Sequence, residues 1–168
     1  MKIIFLDFHG VLFIPACAVT ARLQGSAIKA WEPAVEALNR ITETAGAKIV
    51  VTAPWRSSGI FQMHKLFAQW GLTTSCVDIV PDGDNRTDEI RKWFKLAATP
   101  ETFENRLGHI QSFAILDVGS IYPPLHKYVV SPDVEQGLTQ KEADKVIDLL
   151  DRPDHYYDSE KHLIANYY

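Results

Sequence analysis

Along this chain, short apolar runs that stop at a polar turn alternate with stretches whose apolar residues keep helical spacing. Lys2 to Leu6 is the first run, and its stop at Asp7 predicts a short buried strand. From Trp31 to Thr44, Val35, Leu38 and Ile41 fall on one helical face, Pro33 sits near the first turn and Gly46 ends the stretch. Lys48 to Val51 predicts a second buried strand. Ser57 to Trp70 predicts a helix with Ile60, Met63, Phe67 and Trp70 on one face and Gly71 at its end. Val77 to Val80 is a third strand, followed by the turn cluster Pro81-Asp82-Gly83-Asp84-Asn85. Thr87 to Ala98 reads as a helix striped by Ile90, Trp93 and Phe94, with one or two more turns over Glu101 to Leu107. Phe113 to Leu116 and Tyr128 to Val130 complete five strands. Thr139 followed by Glu142 has the spacing of a capping box, opening a last helix that runs to about Leu150 and ends at Arg152-Pro153. Buried strands separated by helices predict an α/β fold: a mostly parallel five-stranded sheet with helices on both faces.

The length of 168 residues fits a single domain over 1–168, its core over about 1–150. No repeat or linker interrupts it, and the Tyr- and His-rich tail 154–168 has no clear period. Lys and Arg number 17 against 21 Asp and Glu, for a net charge of −4, so a broad basic surface for nucleic acid is not expected. The N-terminal apolar run is cut by Asp7 and His9, too short for a signal peptide, and no apolar stretch is long enough to span a membrane. Cys17 and Cys76 are far apart and form no CxxC pair; reduced thiols in a cytoplasmic protein are the simplest reading.

In parallel α/β sheets, ligands bind beyond the carboxyl ends of the strands. The polar residues expected there are Asp7 and His9 after the first strand, Thr52 after the second and Asp117 after the fourth. These residues resemble the motifs of the haloacid dehalogenase-like (HAD) superfamily. Phe5-Leu6-Asp7-Phe8-His9-Gly10-Val11-Leu12 is similar to the first motif, in which a strand ends in Asp-x-Asp-Gly. Val50-Val51-Thr52 is similar to the second and Ile115-Leu116-Asp117 to the fourth. Pro54-Trp55-Arg56, Arg86-Thr87-Asp88-Glu89-Ile90 with Trp93, and Gly137-Leu138-Thr139 resemble the subgroup that includes HAD domains of RNA-repair proteins.

The resemblance implies a Rossmann-like core and a Mg²⁺-dependent phosphatase acting on a phosphate monoester. Asp7 would attack phosphorus and form an aspartyl-phosphate. Asp7, the backbone carbonyl of His9 and Asp117 would hold Mg²⁺. Thr52 would donate to a phosphoryl oxygen, Arg86 would offset transition-state charge, and Gly10 would let the backbone approach the phosphate. Two residues depart from the pattern. His9 replaces the second Asp, the family's acid–base; an imidazole can also do that work, with a different reach. Val118 stands where the subgroup often has another acidic residue. Ala53-Pro54 also replace small hydroxyl residues, while Ser57 and Ser58 follow as phosphate donors or helix caps. Together the departures support an alternative, a degenerate domain that binds a ligand or partner without turnover. Trp55, Trp70 and Trp93 read as packing residues, and His64, His109, His126, His155 and His162 as structural or solvated. Neither Phe13–Ala30 nor the stretch between the second and third motifs can hold a full cap domain. The site is therefore expected to be open, with 13–30 as a flap. It would take a phosphorylated small molecule or an exposed macromolecular phosphate, a nucleic-acid end included.

Overall fold

A computed structural model of the chain describes residues 1–97 and 110–152. The turns expected over Glu101–Leu107, the tail 154–168, and His109, His155 and His162 lie outside the described residues. Five strands form one sheet, β1 (Lys2–Leu6), β2 (Lys48–Val51), β3 (Cys76–Ile79), β4 (Ser112–Leu116) and β5 (Val129–Val130), in the order β3-β2-β1-β4-β5. Every pairing is parallel. The helices are α1 (Pro15–Gln24), α2 (Glu32–Ala45), α3 (Ile60–Trp70), α4 (Arg86–Ala97) and α5 (Gln140–Asp151).

The two-residue period of β1 divides the core. Ile4 and Leu6 face one side, where α2, α3 and α5 supply Leu38, Ile41, Met63, Phe67, Val146 and Leu150. Ile3 and Phe5 face the other, where α4 supplies Ile90, Trp93 and Phe94. Because β1 is covered on both faces, it reads as an unbroken apolar run rather than an alternating one. Phe5 anchors the α4 side through edge-on contacts with Trp93 at 5.1 Å and Phe94 at 5.4 Å between ring centroids. The Trp93 indole N–H also donates to Asp78 at 2.9 Å, which satisfies its one polar atom.

Two local readings change. Ser57–Trp70 is not one helix: a 3₁₀ turn over Pro54–Ser58 is followed by Gly59 at φ +82°, and α3 starts only at Ile60. A left-handed glycine between two helical pieces breaks the run. Helix α1 lies within the 13–30 stretch expected to be a flap, and the sequence pattern does not predict it. Val19 and Leu23 point outward, and only Cys17 and Ala21 are buried, so there is no apolar stripe for periodicity to detect. Thr139 does stand at the N-cap of α5, but its hydroxyl meets the Glu142 carboxylate and caps no backbone N–H.

Candidate active site

Strand register brings the site together. Leu6 pairs with Val51 on one side and with Leu116 on the other. Asp7, Thr52 and Asp117 are the next residues on three adjacent strands. The ladder extends one step into them: Thr52 N–H donates to the Leu6 carbonyl and Asp7 N–H to the Leu116 carbonyl, both at 2.9 Å. All three residues are buried.

Past Asp7 the chain turns sharply. The N–H groups of Val11, Leu12 and Phe13 converge on the Phe8 carbonyl, and Gly10 N–H donates to the Phe13 carbonyl at 2.8 Å. None of these bonds uses the His9 carbonyl. Gly10 has φ +71°, and a Cβ there would lie 2.9 Å from the Val118 side chain, so both the turn and the contact require glycine. Val118 therefore packs on the Gly10 backbone, at the position where an acidic residue was expected from the family pattern. Beneath the turn, Phe8 is fully buried among Phe13, Trp55, Phe67 and Trp70. His9 itself is exposed, with its ring edge-on to Trp55 at 5.8 Å.

The cation comes from α4. Asn85 starts that helix by accepting the Asp88 N–H at 3.0 Å, an N-cap bond that sets Arg86 at the first helical position. Arg86 reaches across the strand ends. Its Nε donates to Asp117 at 2.8 Å and its Nη2 to Asp7 at 3.3 Å. Its Nη1 donates to the Thr52 carbonyl and, at 2.7 Å, to Glu89. Asp117 is further held by Gly119 N–H at 2.7 Å. The second guanidinium was not expected. Arg56, on the 3₁₀ turn after β2, donates to Glu89 at 2.6 Å and to the Thr52 carbonyl at 3.0 Å. In the sequence, Glu89 looks like an ordinary i,i+3 partner on a solvated helix face, and only its burial separates it from one.

Burial pushes the Asp7 carboxyl above the usual aspartate range, and the Asp117 charge pushes it the same way. Arg86, the Phe8 N–H and His9 oppose the rise without cancelling it. Thr52 is wholly buried, and its hydroxyl has no hydrogen-bond partner among the described residues.

The family model for the HAD domain in Swiss Army Knife RNA repair proteins matches residues 3–143. The chain belongs to this family. No curated protein and no solved structure matches it significantly. The match carries the general character of the HAD superfamily, a hydrolase of phosphatase type on a Rossmann-like core. As a HAD domain it is capless: the chain from β1 to α2 carries only the ten-residue α1. Among the described residues of this HAD domain, no helix is long and apolar enough to cross a membrane. Among the same described residues, no three His, Cys, Asp or Glu side chains cluster as a metal site. The described site offers a cation the carboxylates of Asp7 and Asp117 and backbone oxygen.

Proposed function

We propose that this HAD domain hydrolyses a phosphate monoester through an aspartyl-phosphate on Asp7, with Mg²⁺ as cofactor. The observation that carries the reading is the Thr52 hydroxyl. Leaving a buried polar group unpaired costs about 1–3 kcal/mol. This one lies at the strand end beside Asp7, where a phosphoryl oxygen would take it up. A carboxylate oxygen of Asp7 attacks phosphorus, the bond from phosphorus to the ester oxygen breaks, and His9 gives the leaving oxygen its proton. Water then attacks the phosphorus of the aspartyl-phosphate and releases inorganic phosphate, while His9 takes a proton from that water.

The donor set fits Mg²⁺. Asp7 and Asp117 offer hard carboxylate oxygens, each with lone pairs beyond those Arg86 uses, and the turn leaves the His9 carbonyl clear of its own hydrogen bonds. Charge supports the same reading. Asp7, Asp117 and Glu89 outnumber Arg86 and Arg56 by one, so a phosphate dianion would enter a site that is already net negative. A bound divalent cation supplies the missing positive charge and polarises the phosphoryl group. A domain with no cap suits a phosphorylated small molecule or an exposed phosphate on a macromolecule, a nucleic-acid end included. Free, buried Cys17 and Cys76 suit a cytoplasmic setting.

Thr52→Val tests the carrying observation. It removes only the unpartnered hydroxyl, so the melting temperature should hold or rise. Hydrolysis of an aryl phosphate with Mg²⁺ should fall by roughly 10²-fold, as when one oriented donor is lost. A drop in stability with unchanged turnover would mean that the hydroxyl is structural.

A second reading has its own observation. His9 stands in place of the acid–base carboxylate, and Val118 covers Gly10 in place of another acid. Together they favour a domain that binds a phosphorylated ligand without turning it over. On this reading His9→Asp with Val118→Asp raises aryl phosphate hydrolysis by about 10²-fold or more from a negligible start. A wild type that already turns over well, and that the double change slows, excludes it.

A further inference from the structure

Glu89 is 7% exposed, and each of its carboxylate oxygens takes a different guanidinium. Oε2 accepts from Arg86 Nη1 at 2.7 Å and Oε1 from Arg56 Nη2 at 2.6 Å. The two arginines come from separate elements, and Glu89 is the buried anion between them. Arg56 also touches Asp82 at 3.1 Å, but that carboxylate is fully exposed and its pairing is worth little in water. A guanidinium has five N–H donors in a rigid fork. Arg86 commits four, to Asp117, Asp7, Glu89 and the Thr52 carbonyl. The fifth is on Nη2, the nitrogen that faces Asp7, and it has no partner among the described residues. Fixing Nη1 at Glu89 and the Thr52 carbonyl thus fixes where the last N–H points.

We infer that Glu89 is a positioning residue: it holds Arg86 and Arg56 in one fixed arrangement, so that the remaining N–H of Arg86 meets a phosphoryl oxygen at Asp7. The role in phosphate binding rests on the phosphatase reading; the holding of the two guanidiniums does not. A simple helix pair between Arg86 and Glu89 would be worth a few tenths of a kcal/mol and would orient nothing.

Glu89→Gln is the decisive variant. Glutamine keeps the length but puts an NH₂ donor where one of the two carboxylate oxygens stood, so in this arrangement one of the two arginines faces a group that cannot accept from it. In wild type, held guanidiniums should give separate ¹⁵N NMR signals for the two Nη groups of both arginines. In Glu89→Gln, the pair of at least one arginine should merge as it begins to rotate. The affinity for inorganic phosphate should fall by about tenfold or more, the loss expected for a misdirected charge-assisted hydrogen bond. The same change made beside Arg86→Lys should cost much less, because lysine has no fork to orient. Glu89→Asp, which keeps the charge but is too short to span both arginines, repeats the signal test if Glu89→Gln does not fold. Unchanged guanidinium signals in the folded variant, or an equal loss of phosphate affinity in the two backgrounds, would overturn the inference. If wild type binds no phosphate and hydrolyses no ester, the phosphatase reading fails, and the guanidinium signals still decide the role of Glu89.

Discussion

Asp7→Asn should abolish hydrolysis and make the protein more stable. The loss of rate should be on the order of 10³-fold or more, because the substitution removes the oxygen proposed to attack phosphorus rather than weakening a contact. The gain in stability follows from the position of Asp7. Its carboxylate is buried next to Asp117, and these two effects outweigh the attraction of Arg86, held by Asp7 at a rather long 3.3 Å. A carboxyl whose folded-state pKa is raised binds its proton more tightly folded than unfolded. Its contribution to stability is then complete below the ordinary aspartate value of 3.8 and is lost as pH rises through the folded-state value. Asparagine carries no charge and removes that loss. Melting curves should show wild type and Asp7→Asn close together in acid and separating in favour of the variant toward neutral pH. Added Mg²⁺ should raise the wild-type melting temperature and leave Asp7→Asn nearly unmoved, since only a protein that binds the ion is stabilised by it. A variant that is less stable at neutral pH, or one that keeps its rate, would contradict both the electrostatics of the site and the role of Asp7.

Arg86→Ala should do the reverse to stability. Arg86 is the direct cationic partner of Asp7 and Asp117 and shares Glu89 with Arg56. Removing one side of a buried ion pair strands the other, which typically costs about 3–5 kcal/mol. For a chain of this size that is roughly 10 °C in melting temperature. The cost should be greatest near neutral pH and shrink in acid, because a protonated Asp7 no longer needs the guanidinium. Asp7→Asn placed on top of Arg86→Ala should recover a large part of the loss, a non-additivity that separates charge balance from lost packing. Hydrolysis should fall by roughly 10²- to 10³-fold, as for the loss of an oriented cation at a phosphoryl group. A stability-neutral Arg86→Ala would show that the carboxylates find their counter-charge elsewhere.

Asp7, Thr52 and Asp117 were legible in the sequence for a simple reason. Each follows an apolar run that could only be a buried strand, and strands in a parallel sheet present their next residue at one edge. Arg86 was legible through its resemblance to the family's basic motif, but its reach to Asp7 and Asp117 was not. Glu89 and Arg56 stand within the quoted motifs, yet their spacing is that of ordinary surface charges. Burial alone distinguishes Glu89, and burial depends on where α4 docks. Helix α1 has no such signature: Val19 and Leu23 face outward and only the small Cys17 and Ala21 are buried, which leaves periodicity nothing to detect.

By itself the sequence determined the layer order of the core. Apolar runs of strand length, separated by helical stripes, leave few packings besides a parallel sheet covered on both faces. It also determined that carboxylates and a threonine would gather at one sheet edge. Only the tertiary structure decided the charge balance there. Parallel register puts Asp7 beside Asp117, and the docking of α4 sends Arg86 between them, with Glu89 holding Arg86 and Arg56 together. Apart from the Arg86–Glu89 pair, those are contacts between residues dozens of positions apart, and local patterns along a chain carry no record of which distant side chains will share a low-dielectric site.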